Sequence, residues 1–316
     1  MSDDTAKVLD TVAIIGAGTM GRQIAALVAA SGRRVQMWDA EPPMLAAAKE
    51  RIAEETRTQA HLARYAHHQF RLQPPADVEA LVARITPMTS LADALAGADI
   101  VIEAVREDLE TKRTLFAEMS RLALNAILTT NSSSLPSSQI ASAVEDPGRL
   151  LNTHFFAPIW IRPMLELMGC GATRPEVMDA VERFGTSLGL VTAIVRGDSK
   201  GFIINRVWRA VKREALRVVD EGHADPADVD RLWMIFFGTP YGPFGIMDMV
   251  GLDVVADIET SYQNVATDPM DQPSRVLHGK VAGGDLGEKS GQGFYRHPDP
   301  EYAAADWLRG GAGADE

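Results

Sequence analysis

Cysteine is nearly absent. Cys170 is the only one in 316 residues, so no internal disulfide can form and the chain suits a reducing cytoplasm. It follows Met168-Gly169 in an apolar stretch, which suits a buried, inert thiol better than a nucleophile. Long apolar runs are also missing: none approaches the ~20 residues that span a bilayer. The start, Met1-Ser2-Asp3-Asp4, is acidic and lacks the apolar core of a secretory leader. Positive charge is in deficit, with 31 Lys and Arg against 43 Asp and Glu, a net charge of −12. That balance argues against nucleic acid or an anionic membrane as a general partner. No metal is expected, and no internal repeat is visible. With 46% hydrophobic residues, the chain has ample material for one or two cores.

The chain is organised around Val12-Ala13-Ile14-Ile15-Gly16-Ala17-Gly18-Thr19-Met20-Gly21. A β-branched run meets a G-x-G-x-x-G, and Ile24, Leu27 and Val28 continue at helical spacing. Gly16 allows the tight turn, Gly18 lets the backbone approach a pyrophosphate, and Gly21 lets helix and strand pack closely. A helix starting near Thr19 and Met20 would point unpaired N–H groups at that phosphate. The second strand, Val35-Gln36-Met37-Trp38-Asp39, ends in an acid that can take the ribose hydroxyls of an adenosine. Asp39 and nearby Glu41 would repel a 2′-phosphate, so NAD is expected rather than NADP. Arg33 and Arg34 stand at the other end of that strand and read as solvated.

After Pro42-Pro43 a long helical segment is predicted from about Met44 to Phe70. Between Thr56 and Gln73 it has no acid, and Arg57, His61, Arg64, His68 and Arg71 fall at one helical spacing. The stripe is either a solvated face or a site for a phosphate-bearing group. A helix at about 77–83, strands at 99–104, 126–130, 150–155, 164–167 and 191–195, and a helix at 109–122 follow. This alternation predicts an α/β fold with a doubly wound parallel sheet. Beyond residue 197 it gives way to helices at 202–221, 226–236 and 244–261. The expected division is a dinucleotide-binding domain over 1–196, with a helical hairpin at about 44–85, and an all-α domain over 197–316. Phe236, Phe237, Phe244, Ile246, Met247 and Met249 form an apolar cluster that suggests a subunit interface. The tail from Arg309 to Gly313 is expected to be disordered.

An alcohol-oxidising nicotinamide enzyme needs a base for the hydroxyl proton. His154, at the end of a predicted strand, is the candidate, and Glu166, on the apolar stretch Met164–Met168, could orient its ring. None of the five tyrosines has a lysine four residues on, which excludes the short-chain dehydrogenases.

In order along the chain stand Gly16–Gly21, Ile102-Glu103-Ala104-Val105 through Lys112, and Asn131-Ser132-Ser133-Ser134-Leu135. His154-Phe155-Phe156 with Glu166 and Gly201-Phe202-Ile203-Ile204-Asn205-Arg206 follow. Tyr241-Gly242-Pro243-Phe244 with Asp248 and Gly251-Leu252-Asp253, and Lys289-Ser290-Gly291-Gln292-Gly293-Phe294-Tyr295, complete the series. From about Val12 to Tyr295 the chain resembles the L-3-hydroxyacyl-CoA dehydrogenases and their L-gulonate dehydrogenase and lambda-crystallin relatives. The resemblance implies a Rossmann-type domain followed by an all-α C-terminal domain, with His154 as acid/base and Glu166 as its partner. It implies that Ser133 bonds the reacting oxygen and that Asn205 helps hold the substrate. Without it, these two read as a turn serine and a helix-capping amide. Glu107 and Lys112 would contact the nicotinamide half of NAD, with Ala104 and Asn131 beside the same pocket. On their own, Glu107 and Lys112 read as an exposed pair at a helix start.

Some positions depart from the family pattern. Ala157 stands where the family has an asparagine, and Ile159-Trp160-Ile161-Arg162-Pro163 replaces a smaller apolar segment. Trp160 and Arg162 are therefore expected at the substrate pocket, where Arg162 could pair a substrate carboxylate. Arg57, Arg64 and Arg71 could replace the family's CoA-phosphate contacts. The expected reaction is NAD-dependent oxidation of a 3-hydroxyacyl thioester, on CoA or a carrier protein, or the reverse. The alternatives are a small free hydroxy acid as substrate, as in gulonate- or carnitine-type relatives, or a non-catalytic crystallin-like NAD binder. A cytoplasmic homodimer joined through the second domain is expected, with a cleft closing by hinge motion near 197–201.

Overall fold

The computed structural model describes residues 8–64, 70–264, 271–304 and 306–310. The chain divides into two compact units, Met1–Ile203 and Ile204–Glu316. No helix among the described residues is long and apolar enough to cross a membrane. His68, the side chain of Arg64 and residues 311–316 of the tail lie outside the description.

The first unit is an eight-stranded sheet in the order β3-β2-β1-β4-β5-β6-β7-β8. Its strands are β1 (Thr11–Ile15), β2 (Arg34–Trp38), β3 (Ile85–Pro87), β4 (Ile100–Glu103), β5 (Ile127–Thr130), β6 (Leu150–Phe155), β7 (Met164–Gly169) and β8 (Val191–Val195). The helices are α1 (Thr19–Ala30), α2 (Pro42–Ala46), α3 (Ala48–Arg64), α4 (Val78–Ala83), α5 (Leu91–Leu95), α6 (Leu109–Leu122) and α7 (Pro175–Ser187). β1, β4 and β6 are buried along their whole length, as expected of strands covered on both faces. Two apolar cores lie on opposite faces of the sheet. Val12 and Ile14 of β1 join one, and Ala13 and Ile15 join the other.

The sheet is the expected doubly wound parallel one over its first six strands and reverses at its end. β7 runs antiparallel to β6 and β8 parallel to β7, so the last two strands oppose the first six. The connection from Phe155 to Met164 carries no helix and is too short for a right-handed crossover, so it closes as a hairpin. The predicted helix from Met44 to Phe70 is α2 and α3, and Arg71 lies beyond the helical residues described. Arg33 and Arg34 are not merely solvated. Arg33 donates to the Leu9 carbonyl at 2.8 Å and to Ser187 Oγ at 2.8 Å, and Arg34 donates to Thr11 Oγ1 at 2.9 Å.

The second unit comprises α8 (Ile204–Asp220), α9 (Pro226–Phe237), α10 (Pro243–Val250), α11 (Leu252–Gln263) and α12 (Arg275–Ala282). The single helix expected over 244–261 is broken at Gly251, whose φ of 98° no helix interior allows. The apolar cluster read from sequence also divides. Phe244 and Met247 are fully buried in this unit's own core, whereas Phe236 is 81% exposed on α9 beside Leu232 and Ile235. Asp230, fully buried on α9, accepts from the N–H groups of Phe244 (2.9 Å) and Gly245 (2.8 Å) and from the Tyr295 hydroxyl (3.0 Å). Burial pushes its carboxyl up to about 6, against those hydrogen bonds, which favour the charged form, and with some help from Asp248.

An acid whose folded pKa is raised binds more protons folded than unfolded, so it stabilises below its unfolded pKa, and that stability is lost as pH rises through the folded one. Here the loss falls between about pH 4 and 6 and amounts to about 3 kcal/mol. Asp230→Asn is therefore expected to gain stability relative to wild type as pH rises through that window, in urea unfolding at several pH values. A pH-independent difference would contradict the assignment.

Candidate active site

The carboxyl ends of the parallel strands carry the polar groups. Gly18 is the N-cap of α1, and a Cβ built on it would meet nothing, so its backbone faces open space. Gly16 has a φ of 111°, and a Cβ there would sit 2.6 Å from the Ala104 carbonyl oxygen. At Gly21 a Cβ would come within 1.9 Å of the Gly16 oxygen, so helix and turn touch backbone to backbone. Asp39, just past β2, accepts from Ala17 N–H at 2.6 Å and from Glu41 N–H at 2.8 Å. A cavity of about 910 Å³ lies over this turn, lined by Gly16, Gly18, Trp38, Asp39 and Glu41. An open glycine cradle at a helix N-terminus with a fixed carboxylate beside it fits the pyrophosphate and adenosine ribose of NAD.

β4 is Ile100-Val101-Ile102-Glu103, and its terminal acid is completely buried. Glu103 accepts from Lys112 Nζ and Thr130 Oγ1, both at 2.6 Å, and from Val105 N–H at 2.7 Å. Lys112, on α6, is only 1% exposed and also lies 3.4 Å from Glu107. It is therefore not the exposed helix-start residue that spacing alone suggested. Its long stem packs inside because its charge is fully matched there. Glu107 accepts from the Ser134 N–H (3.0 Å) and hydroxyl (2.7 Å) and from the Ser132 hydroxyl. Burial raises this carboxyl, but Lys112 and the serine donors outweigh it and hold it below the usual range. The clamp fixes the loop that presents Ser133, which is exposed.

His154 and Glu166 are register partners across β6 and β7, both about 5% exposed. The His154 Nδ1 to Glu166 Oε2 distance is 2.9 Å, and Glu166 Oε1 accepts from Ile203 N–H at 3.0 Å. A carboxylate at Nδ1 selects the tautomer whose Nε2 lone pair is available. Phe156 and Phe202 flank the imidazole at ring-centroid distances of 4.2 and 5.0 Å. Phe202 takes a φ of 54°, uncommon for a bulky residue. A second cavity, of about 590 Å³, is lined by Thr19, Met20, Ala104, Asn131, Ser133 and His154, and by Glu107 and Lys112 as well. It shares Gly18 and Ala104 with the first. Asn131 Oδ1 accepts from Phe155 N–H at 2.9 Å, tying the ends of β5 and β6 together.

Not every expected residue joins this site. Arg162 lines the His154 cavity, but Trp160 is 3% exposed and packs in the core. Its stretch of chain is held by hydrogen bonds from Ile159 N–H to Gln23 (3.0 Å) and from Leu72 N–H to the Trp160 carbonyl (2.9 Å), and burying the indole adds apolar contact. Arg57 is ion-paired with Glu79 of α4, an acid outside the window that reads as purely basic in sequence. Arg71, being past α3, does not share a helical face with Arg57. Asn205 lies in the first turn of α8, in the second unit. Cys170 is buried, with its Sγ donating to the Pro147 carbonyl at 3.2 Å. Sequence reasoning gave no role to Glu103, although an acid ending an otherwise apolar strand was the signal, and it passed over Arg106 and Phe202. No group of three or more His, Cys, Asp or Glu among the described residues could hold a metal.

Removing one partner of a buried ion pair leaves the other charge stranded, at a cost of about 3–5 kcal/mol. Lys112→Met is expected to lose stability on that scale in urea unfolding, and adding Glu103→Gln is expected to restore part of it. A double variant weaker than the sum of its singles would contradict the pairing.

Residues 11–199 match the NAD-binding domain of 3-hydroxyacyl-CoA dehydrogenase, and residues 201–297 match its C-terminal domain. A probable 3-hydroxybutyryl-CoA dehydrogenase of Bacillus subtilis is 32% identical over 289 residues, covering 91% of this chain and 97% of that one. The solved (S)-3-hydroxybutyryl-CoA dehydrogenase of Ralstonia eutropha superposes with a TM-score of 0.80 at 30% identity, covering 92% of this chain and 100% of that one. A 5-formyl-3-hydroxy-2-methylpyridine 4-carboxylic acid 5-dehydrogenase, an NAD-dependent dismutase, gives a TM-score of 0.69 at 27% identity, with 96% and 93% covered.

Proposed function

The chain belongs to the 3-hydroxyacyl-CoA dehydrogenase family of NAD-dependent oxidoreductases, and from that membership we propose that it interconverts an L-3-hydroxyacyl thioester and its 3-ketoacyl thioester. The observation that carries this reading is the hydrogen bond between His154 Nδ1 and Glu166 on paired strands, beside a cavity continuous with the glycine cradle. In oxidation His154 Nε2 takes the 3-hydroxyl proton, and Glu166 stabilises the imidazolium as it forms. Bound NAD would supply the acceptor for the hydride at C3. Ser133 bonds the reacting oxygen, and Asn205 helps hold the substrate. Reduction uses the same groups with the proton returned from His154.

Gly16, Gly18, Thr19, Met20, Gly21 and Asp39 would hold the adenosine and pyrophosphate half. Ala104, Glu107, Lys112 and Asn131 would hold the other. The thioester is carried on a phosphopantetheine arm, of CoA or a carrier protein; of the arginines expected to meet it, Arg57 is already paired with Glu79 and Arg71 lies off the helix that bears Arg57 and Arg64. The exposed Leu232, Ile235 and Phe236 on α9 support a homodimer joined through the second unit. The single cysteine suits a reducing compartment such as the cytoplasm, and family membership supports a place in fatty-acid metabolism. A second reading is a small free hydroxy acid as substrate. Arg162 in the His154 cavity favours it, as does the likeness to a dehydrogenase of a pyridine carboxylic acid.

With L-3-hydroxybutyryl-CoA and NAD, His154→Gln is expected to lower kcat by about 10²–10⁴-fold. Glu166→Gln should lower it less, and NADH binding, followed by fluorescence, should persist in both. A His154→Gln enzyme retaining a tenth of the activity would remove His154 from the proton transfer. Asp39→Ala should raise the KM for NAD and narrow the preference over NADP; an unchanged preference would place the ribose elsewhere.

A further inference from the structure

The cavity around His154 carries positive charge that the proposed reaction does not use. Arg106, in the turn after β4, and Arg162, in the β6–β7 connection, both line it, with Lys112 behind. Lys112 is committed to Glu103. Neither arginine is in an ion pair among the described residues, and the nearby acids are already engaged. Glu107 accepts from Ser132 and Ser134, and Glu166 from His154 and Ile203. Asp108 feels the charge of Arg106, but its Oδ1 accepts from both Thr111 donors. Arg106 also borders the cavity over Gly16 and Gly18, where a pyrophosphate is expected, so its charge is shared with the dinucleotide site. Arg162 does not line that first cavity, although Gly18, Thr19 and Met20 also border its own.

Arg162 is held in place without being neutralised. Its Nη1 donates to the Ala157 carbonyl at 2.7 Å, three positions from His154. A backbone carbonyl fixes the guanidinium and leaves its remaining donors for a ligand, and a planar fork of this kind matches a carboxylate through two hydrogen bonds. Arg162 is exposed, so an uncharged acyl chain packed against it would displace only part of the water on the guanidinium, but would give nothing back, and the same group that attracts an anion disfavours a plain alkyl chain.

We infer that the substrate carries a carboxylate on the acyl side of the reacting carbinol and that Arg162 receives it, which makes Arg162 the specificity-determining residue of this cavity. The inference rests on the reading of His154 as the base. The carboxylate could belong to a dicarboxylic acyl thioester or to a free hydroxy diacid, and the two are separable by assay.

The test compares kcat/KM with NAD for 3-hydroxyglutaryl-CoA, 3-hydroxypentanoyl-CoA of equal chain length, and free 3-hydroxyglutarate. Wild type, Arg162→Met and Arg162→Lys are each assayed. Wild type is expected to prefer the carboxylated thioester by about tenfold or more, mainly through KM. Arg162→Met should erase that preference, and Arg162→Lys, which keeps the charge but loses the fork, should retain part of it. Free 3-hydroxyglutarate used as well as its thioester would assign the carboxylate to a free diacid. Should Arg162→Met fail to fold, competition by glutarate against pentanoate on wild type reads the same discrimination. A wild-type ratio near one, or one unchanged in a folded Arg162→Met, overturns the inference. In that case turnover of the uncharged thioester that depends on His154 leaves the proposed reaction standing. If none of the three compounds reduces NAD, both readings fall.

Discussion

The active-site edge of the first unit depends on one constraint: a buried carboxylate must be matched by donors from its own surroundings. Glu103 meets it most completely, with a lysine ammonium, a threonine hydroxyl and a backbone N–H. The same solution recurs along the sheet. Buried Glu166, and the more open Asp39 and Glu107, each give at least one oxygen to a backbone N–H of a neighbouring turn, from Ile203, Ala17 and Ser134. A turn tied to a strand end in this way loses its freedom to move. The groups it presents then need little reordering when a ligand arrives.

In the second unit, acids also bind distant segments of chain together. Asp230 holds the start of α10 and the Tyr295 hydroxyl, and Asp248 takes the N–H groups of Phe294 and Tyr295 together with His297. The blocks at 241–253 and 289–295 that mark the family in sequence are thus largely a record of these attachments. Among its glycines, Gly242 and Gly293 would each drive a Cβ into one of the two carboxylates.

Much of this was legible in the sequence because it rests on local rules. The glycine turn, the acid after β2 and the alternation of β-branched runs with amphipathic helices each follow from spacing alone, and β1, α1, β2 and α6 lie where those patterns put them. The reversal of β7 and β8 was not legible from alternation, because it depends on what the Phe155–Met164 connection lacks. Trp160 was misplaced for a related reason: a large side chain in an unfamiliar loop reads as pocket lining, yet the ring faces the core. Phe236 and Phe244 look alike in sequence, and only packing separates the exposed one from the buried one. His154 and Glu166 could be picked out from their places on apolar strands, whereas the roles expected of Ser133 and Asn205 came from family resemblance alone, since single polar residues far apart carry no spacing signal of their own.

The hairpin between β6 and β7 has a consequence for how such an enzyme can change over evolutionary time. His154 and Glu166 face each other because they are partners on a ladder of main-chain bonds, and in a hairpin the connection helps to set that register. Within the connection Ile159 and Trp160 are buried and tied to Gln23 and Leu72, whereas Arg162 is exposed. Change is therefore cheapest at the exposed position, where a new side chain leaves the ladder and its two facing residues undisturbed.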